Sequence, residues 1–158
     1  KNIKYRHMKL FVACFTLIVL ASNCNSKKLA LTKTNENTSQ QSAVTISYIA
    51  HTRGFYQKLI LKQNSLTEFK DYEITNAISS TLDAKDWNEC VRLLADIKLE
   101  DLPNLKSPTN YRQYDGAAFA QLIVIQKGDT IQSSGFDHKH PPAEIKLLVE
   151  HILSLQEN

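Results

Sequence analysis

The sequence predicts an α+β domain: a single antiparallel sheet of four to five strands with two helices packed on one face. Three observations predict it. Short runs of alternating apolar residues come in adjacent pairs joined by turn residues, as in hairpins. Two segments carry apolar residues at helical spacing. The segments run in the order β-β-(β)-α-β-β-α, so helices do not separate the strands one by one, and a doubly wound parallel sheet is excluded.

Residues 44–50 (VTISYIA) put Val44, Ile46, Tyr48 and Ala50 on one side and Thr45 and Ser47 on the other, with His51 continuing the second set. That is a half-buried strand. Residues 51–54 (HTRG) are a turn, since Gly54 tolerates positive φ. Residues 55–62 (FYQKLILK) return as the second strand, Gln63 and Asn64 turn again, and 65–69 form a short third strand. Residues 70–82 fit neither period. Asp83 is the expected N-cap of a helix whose stripe is Trp87, Val91, Leu94 and Ala95, with Asp86 favouring its positive end. The helix should stop near Ile97, and 98–110, with Pro103 and Pro108, is a loop. Residues 117–126 (AAFAQLIVIQ) are apolar on both faces and read as the central strand. Lys127, Gly128 and Asp129 make a hairpin turn before a strand over 130–134. Residues 135–141 are a polar loop, and Pro142 opens a final helix with Ile145, Leu148, Val149, Ile152, Leu153 and Leu155 on its apolar face.

The chain has 158 residues with 19 Lys and Arg against 16 Asp and Glu, a formal charge of +3. The first 24 residues hold four bases and no acid, so the remainder, with 15 bases against 16 acids, carries −1. The basicity belongs to the leader, which argues against a nucleic-acid partner. Met8 reads as a start, Lys9 as a positive flank and 10–21 (LFVACFTLIVLA) as the apolar run of a signal peptide. Twelve residues are too few to span a bilayer, which takes about 20. Leu20-Ala21-Ser22-Asn23-Cys24 resembles a lipobox, with Asn23 where a small residue usually stands. Lipidation of Cys24 would anchor the protein in the bacterial envelope; cleavage after Ala21 and simple secretion is the alternative. Residues 25–43 are polar and aperiodic, a flexible tether, and 44–158 is one domain. Of the three cysteines Cys14 and Cys24 fall in the leader, so Cys90 has no disulfide partner in the domain and reads as a small half-buried hydrophobe.

Three polar clusters, at 51–54, 111–116 and 137–140, are candidate chemistry. Asp137, His138 and His140 offer carboxylate and imidazole ligands to a divalent metal, with His51 or Asp115 completing the set. The competing reading is a loop before the last helix, with Asp137 capping backbone N–H groups and the histidines packed or solvated. Arg53 and Arg112 are matched to Asp115 or Asp137 by bidentate pairing. Such a pair orders the loops if buried; in an exposed groove Arg53 would bind an anionic ligand, with Arg112 and Asp115 as further ligand-binding candidates. Tyr48, Phe55, Tyr56, Tyr111 and Tyr114 are either strand and core neighbours or a recognition surface. No GxSxG elbow, P-loop, dinucleotide fingerprint or HExxH motif occurs.

Thr52-Arg53-Gly54, Asp115-Gly116-Ala117 and Phe136-Asp137-His138 with Pro141-Pro142, together with the leader ending at Cys24, resemble small uncharacterised lipoproteins of the Bacteroidota. The resemblance implies an envelope address and an α+β domain. It implies no activity and no catalytic residues. The expectation is a non-enzymatic, envelope-anchored binding or interaction module, with membrane and envelope protein as partners. A metal-dependent, hydrolytic site around Asp137, His138 and His140 is the alternative, and an inhibitor of an envelope protease a third.

Overall fold

The computed structural model describes residues 44–156. The expected signal segment, Cys24 and the tether lie outside the described residues. Strands β1 (Val44–Thr52), β2 (Phe55–Lys62), β3 (Ser65–Phe69) and β4 (Ala77–Thr81) follow one another. Helix α1 (Ala84–Ala95) and two 3-10 turns (Leu99–Asn104 and Tyr111–Tyr114) lead to β5 (Phe119–Gln126), β6 (Asp129–Gln132) and β7 (Phe136–Asp137). A third 3-10 turn (Ala143–Ile145) starts α2 (Lys146–Ser154). All pairings are antiparallel, in the order β4-β3-β2-β1-β5-β6, with β7 also on β5.

The α+β architecture is as expected, but the sheet has seven strands rather than four or five. The two additions lack the signal that reveals strands. β4 is AISST at the sheet edge, exposed along its whole length, so nothing selects for apolar alternation. β7 has two residues, inside what reads as a polar loop, and both Phe136 and Asp137 are buried. β5 is next to the edge rather than central. Its double-sided apolarity comes from β1 on one flank and β6 and β7 on the other.

The pleat sorts the sheet into two faces. Ile46, Tyr48, Ala50, Leu59, Leu61, Leu122 and Val124 form the helix side, buried against Trp87 and Cys90 of α1 and Leu148, Val149 and Ile152 of α2. Each large aliphatic side chain buried in this layer contributes about 1.5–3 kcal/mol. In α1 the buried residues are Trp87, Cys90, Leu93 and Leu94, while Ala95 is exposed, so the stripe is rotated toward Leu93. Asp83 is the N-cap by backbone geometry, but its side chain makes no capping hydrogen bond. Cys90 is fully buried rather than half-buried, and burial first, then Asp86 and Glu89, push its thiol up to about 12. No helix of the described residues is long and apolar enough to cross a membrane.

Candidate functional site

Antiparallel pairing brings the separated clusters to one end of the sheet. β1 ends, β2 begins, β3 ends, β4 and β5 begin and β7 ends there. The Arg53–Gly54 turn and the segments at 70–76, 105–118 and 138–142 are the connections at that end.

Asp137 is the organising residue. Its register partner on β5 is Phe119, and it has no exposed surface. Thr109 Oγ1 donates to its carboxylate at 2.6 Å, the Tyr111 N–H at 2.7 Å and the Arg112 N–H at 3.0 Å. Arg112 Nη1 completes an ion pair at 2.9 Å and also donates to Ser107 Oγ and the Thr109 carbonyl. Burial favours the neutral acid, but the bonds from Thr109, Arg112 and the two backbone N–H groups outweigh it and hold the carboxyl at about 2. One side chain thus fixes residues 107–112 from 25 or more positions away. Of the pairings open to the two arginines, Arg112 with Asp137 is the one formed. Arg53 and Asp115 are exposed and form no ion pair among the described residues.

His138 takes a different direction. Its N–H pairs with the Ala118 carbonyl at 2.8 Å, and its Nδ1 lies 2.7 Å from the Tyr48 hydroxyl on the helix side of the sheet. Lys139, next along the chain, has φ +68. Burial, then the charges of Lys139 and His140, lower the His138 pKa, so the imidazole is neutral at pH 7. Burial raises the Tyr48 pKa.

His51 lies elsewhere. Positions 48 and 51 of one strand point to opposite faces. The His51 ring packs on Phe119 at 5.2 Å and on Tyr72 at 6.1 Å, on the face without helices. His140 is exposed, edge-on to Tyr111 at 6.2 Å. Among the described residues no three His, Cys, Asp or Glu side chains are arranged to hold a metal ion. The carboxylate oxygens of Asp137 and Nδ1 of His138 are occupied by protein partners.

What faces outward at this end is aromatic and basic. Tyr111 and Tyr114 begin and end one 3-10 turn, whose three-residue repeat eclipses them on one side. They are 55% and 81% exposed, and Phe55 is 37% exposed with its ring 5.5 Å from His138. Arg53, Lys139 and His140 are exposed around them. Tyr48 and Tyr56, in contrast, are buried.

Tyr48 and Thr109 are the contributors that sequence reasoning did not single out as partners. A tyrosine on an otherwise apolar strand face does signal a hydroxyl needing a mate. Nothing local marks Thr109. No protein-family model matches this chain, and a search of curated proteins returns no significant similarity.

Proposed function

We propose that this chain is a non-enzymatic binding module, held at the bacterial envelope by a lipid on Cys24, with the loop end of its sheet as the recognition surface. One observation supports the binding role above the rest. The groups suited to chemistry, Asp137 and His138, are bonded inward and fix the loops, while Phe55, Tyr111 and Tyr114 stand outward beside Arg53, Lys139 and His140. Aromatic side chains on a fixed backbone give large contact area at low entropic cost, as in binding sites rather than in active sites. The resemblance to envelope lipoproteins and the lipobox-like segment before Cys24 support the address.

The test is affinity capture from envelope extracts with the full chain, wild type beside Tyr111→Ala/Tyr114→Ala. A partner retained by the wild type and reduced at least tenfold with the double variant is the expected result. Equal retention by both contradicts the assignment of the surface. Cys24→Ala should move the protein from the membrane to the soluble fraction; unchanged membrane association would refute the anchor.

A further inference from the structure

We propose that a small cavity at the loop end binds an apolar α-amino acid unit with a free carboxylate, Lys139 pairing with the carboxylate and Gln57 Oε1 accepting from the nitrogen. The proposal rests on the reading of this end as a binding surface and names what one part of it takes. The cavity is lined by Phe55 and Gln57 at the start of β2, by His138 and Lys139, and by Leu153 and Gln156 at the end of α2. Its volume is about 190 Å³. That is the liquid volume of roughly six waters, room for one amino acid and too little for a drug-sized ligand.

Two groups in the wall are left without partners by the fold. The first is an acceptor. Gln57 ends a chain of side-chain hydrogen bonds whose direction is fixed at its other end by Glu68, a carboxylate that can only accept. Lys70 takes Glu68 Oε2 at 3.4 Å, and Gln156 Nε2 donates to Oε1. That turns Gln156 Oε1 toward Gln57, whose Nε2 donates to it at 2.9 Å. Gln57 Oε1 is what remains, buried and with no donor among the described residues. Folds rarely keep such an atom without a use for it. The carboxylate at the far end polarises both amides, so this oxygen favours a strong N–H donor.

The second is a cation. Lys139 sits at φ +68 in a turn closed by the His140 N–H on the Asp137 carbonyl at 2.8 Å. Its ammonium forms no ion pair among the described residues. Glu150, which lines an adjoining concavity with Lys139, is paired with Lys146 at 3.7 Å. The cavity wall also holds the apolar Leu153 and Phe55 side chains. An unfilled acceptor, an unpaired cation and an apolar patch complement the nitrogen, the carboxylate and the hydrocarbon side chain of an α-amino acid. A phosphate or polyanion would call for several free cations or an arginine fork, and no arginine lines the cavity. A neutral sugar would leave Lys139 unpaired. The amino acid unit has two sources, a free amino acid or the C-terminal residue of a peptide.

Isothermal titration calorimetry of the full chain in detergent tests this, with L-leucine, N-acetyl-L-leucine and L-leucinamide as probes. Leucine should bind saturably, and leucinamide, which has no carboxylate, at least tenfold more weakly. N-acetyl-leucine keeps the carboxylate and one N–H. Binding as tight as leucine's identifies a peptide C-terminus as the source, and binding at least tenfold weaker identifies the free amino acid. Lys139→Gln should weaken leucine at least tenfold, and Lys139→Arg should retain it. No saturable heat with leucine, equal affinity for leucine and leucinamide, or undiminished binding by Lys139→Gln would each overturn the proposal. Tyr111 and Tyr114 do not line the cavity. A partner captured through them without leucine binding therefore overturns this inference alone, and leucine binding without a captured partner overturns their assignment alone.

Discussion

A carboxylate with no exposed surface persists in a fold only when hydrogen bonds replace the water it has lost. Asp137 has four such donors, two of them backbone N–H groups that side-chain substitutions other than proline leave in place. Asp137→Asn keeps the size but leaves the Arg112 guanidinium, itself mostly buried, without its counter-charge. The expected loss is about 3 kcal/mol of stability, read from urea unfolding with an unchanged m-value; a loss below about 1 kcal/mol would mean that the loop is held some other way. The acid dependence has a definite sign. The folded carboxyl at about 2 lies below the ordinary 3.8, so its contribution of about 2 kcal/mol is present above pH 4 and disappears as pH falls toward 2. Asp137→Asn should flatten that arm of the stability profile. His138 acts in a separate window. Its folded pKa is lowered, so acid charges the unfolded chain first and stability falls as pH drops below 6.5. Tyr48→Phe removes the hydroxyl bonded to His138 Nδ1 and should cost about 1 kcal/mol. It should also shift the His138 titration seen by NMR; an unmoved titration would contradict the bond. These residue types were visible in the sequence. That Asp137 would bond Arg112 rather than Arg53 was not, because the choice depends on β7 pairing with β5.

Among the elements, those with a period or a turn were legible and those without were not. β2 and β3 run over the residues the alternation marks, and the Lys127–Gly128 turn, at φ +55 and +91, has the primed geometry that joins twisted strands. β4 and β7 were hidden, one by a polar edge and the other by its two-residue length. The bulge before β7 was hidden as well, since the sequence reading carries one strand through Ser133 and Ser134 and begins a loop at Gly135. Gly135 there has a specific reason to be glycine. A Cβ at this position would overlap Phe119 Cε2 and stand 2.6 Å from its Cζ, in a ring already packed on His51. Gly135→Ala should therefore cost about 2 kcal/mol, as overpacking does, and much less in a Phe119→Ala background. Equal costs in the two backgrounds would show that the ring is not what excludes the methyl group. In α1 the buried Cys90, with its thiol held at about 12, should resist alkylation until the chain unfolds.

At the scale of the molecule, one hydrophobic layer between the sheet and two helices supports an end where residues 107–112 and 137–140 are joined by hydrogen bonds and a ring contact. The layer was legible because periodicity reports burial. The end was legible only as separate clusters, because their meeting is a property of strand order. Its outward aromatics and bases carry the proposed binding role, and the inward Asp137 keeps them in place. Site-specific photo-cross-linking in the intact envelope tests that most directly, with a photoreactive residue replacing Tyr114 at the loop end or Lys62, which is exposed at the opposite end of β2. The account predicts a discrete adduct from position 114, none from position 62, and loss of the adduct when Asp137→Asn releases the loop. Adducts of equal yield from both ends, or an adduct at 114 indifferent to Asp137→Asn, would contradict it.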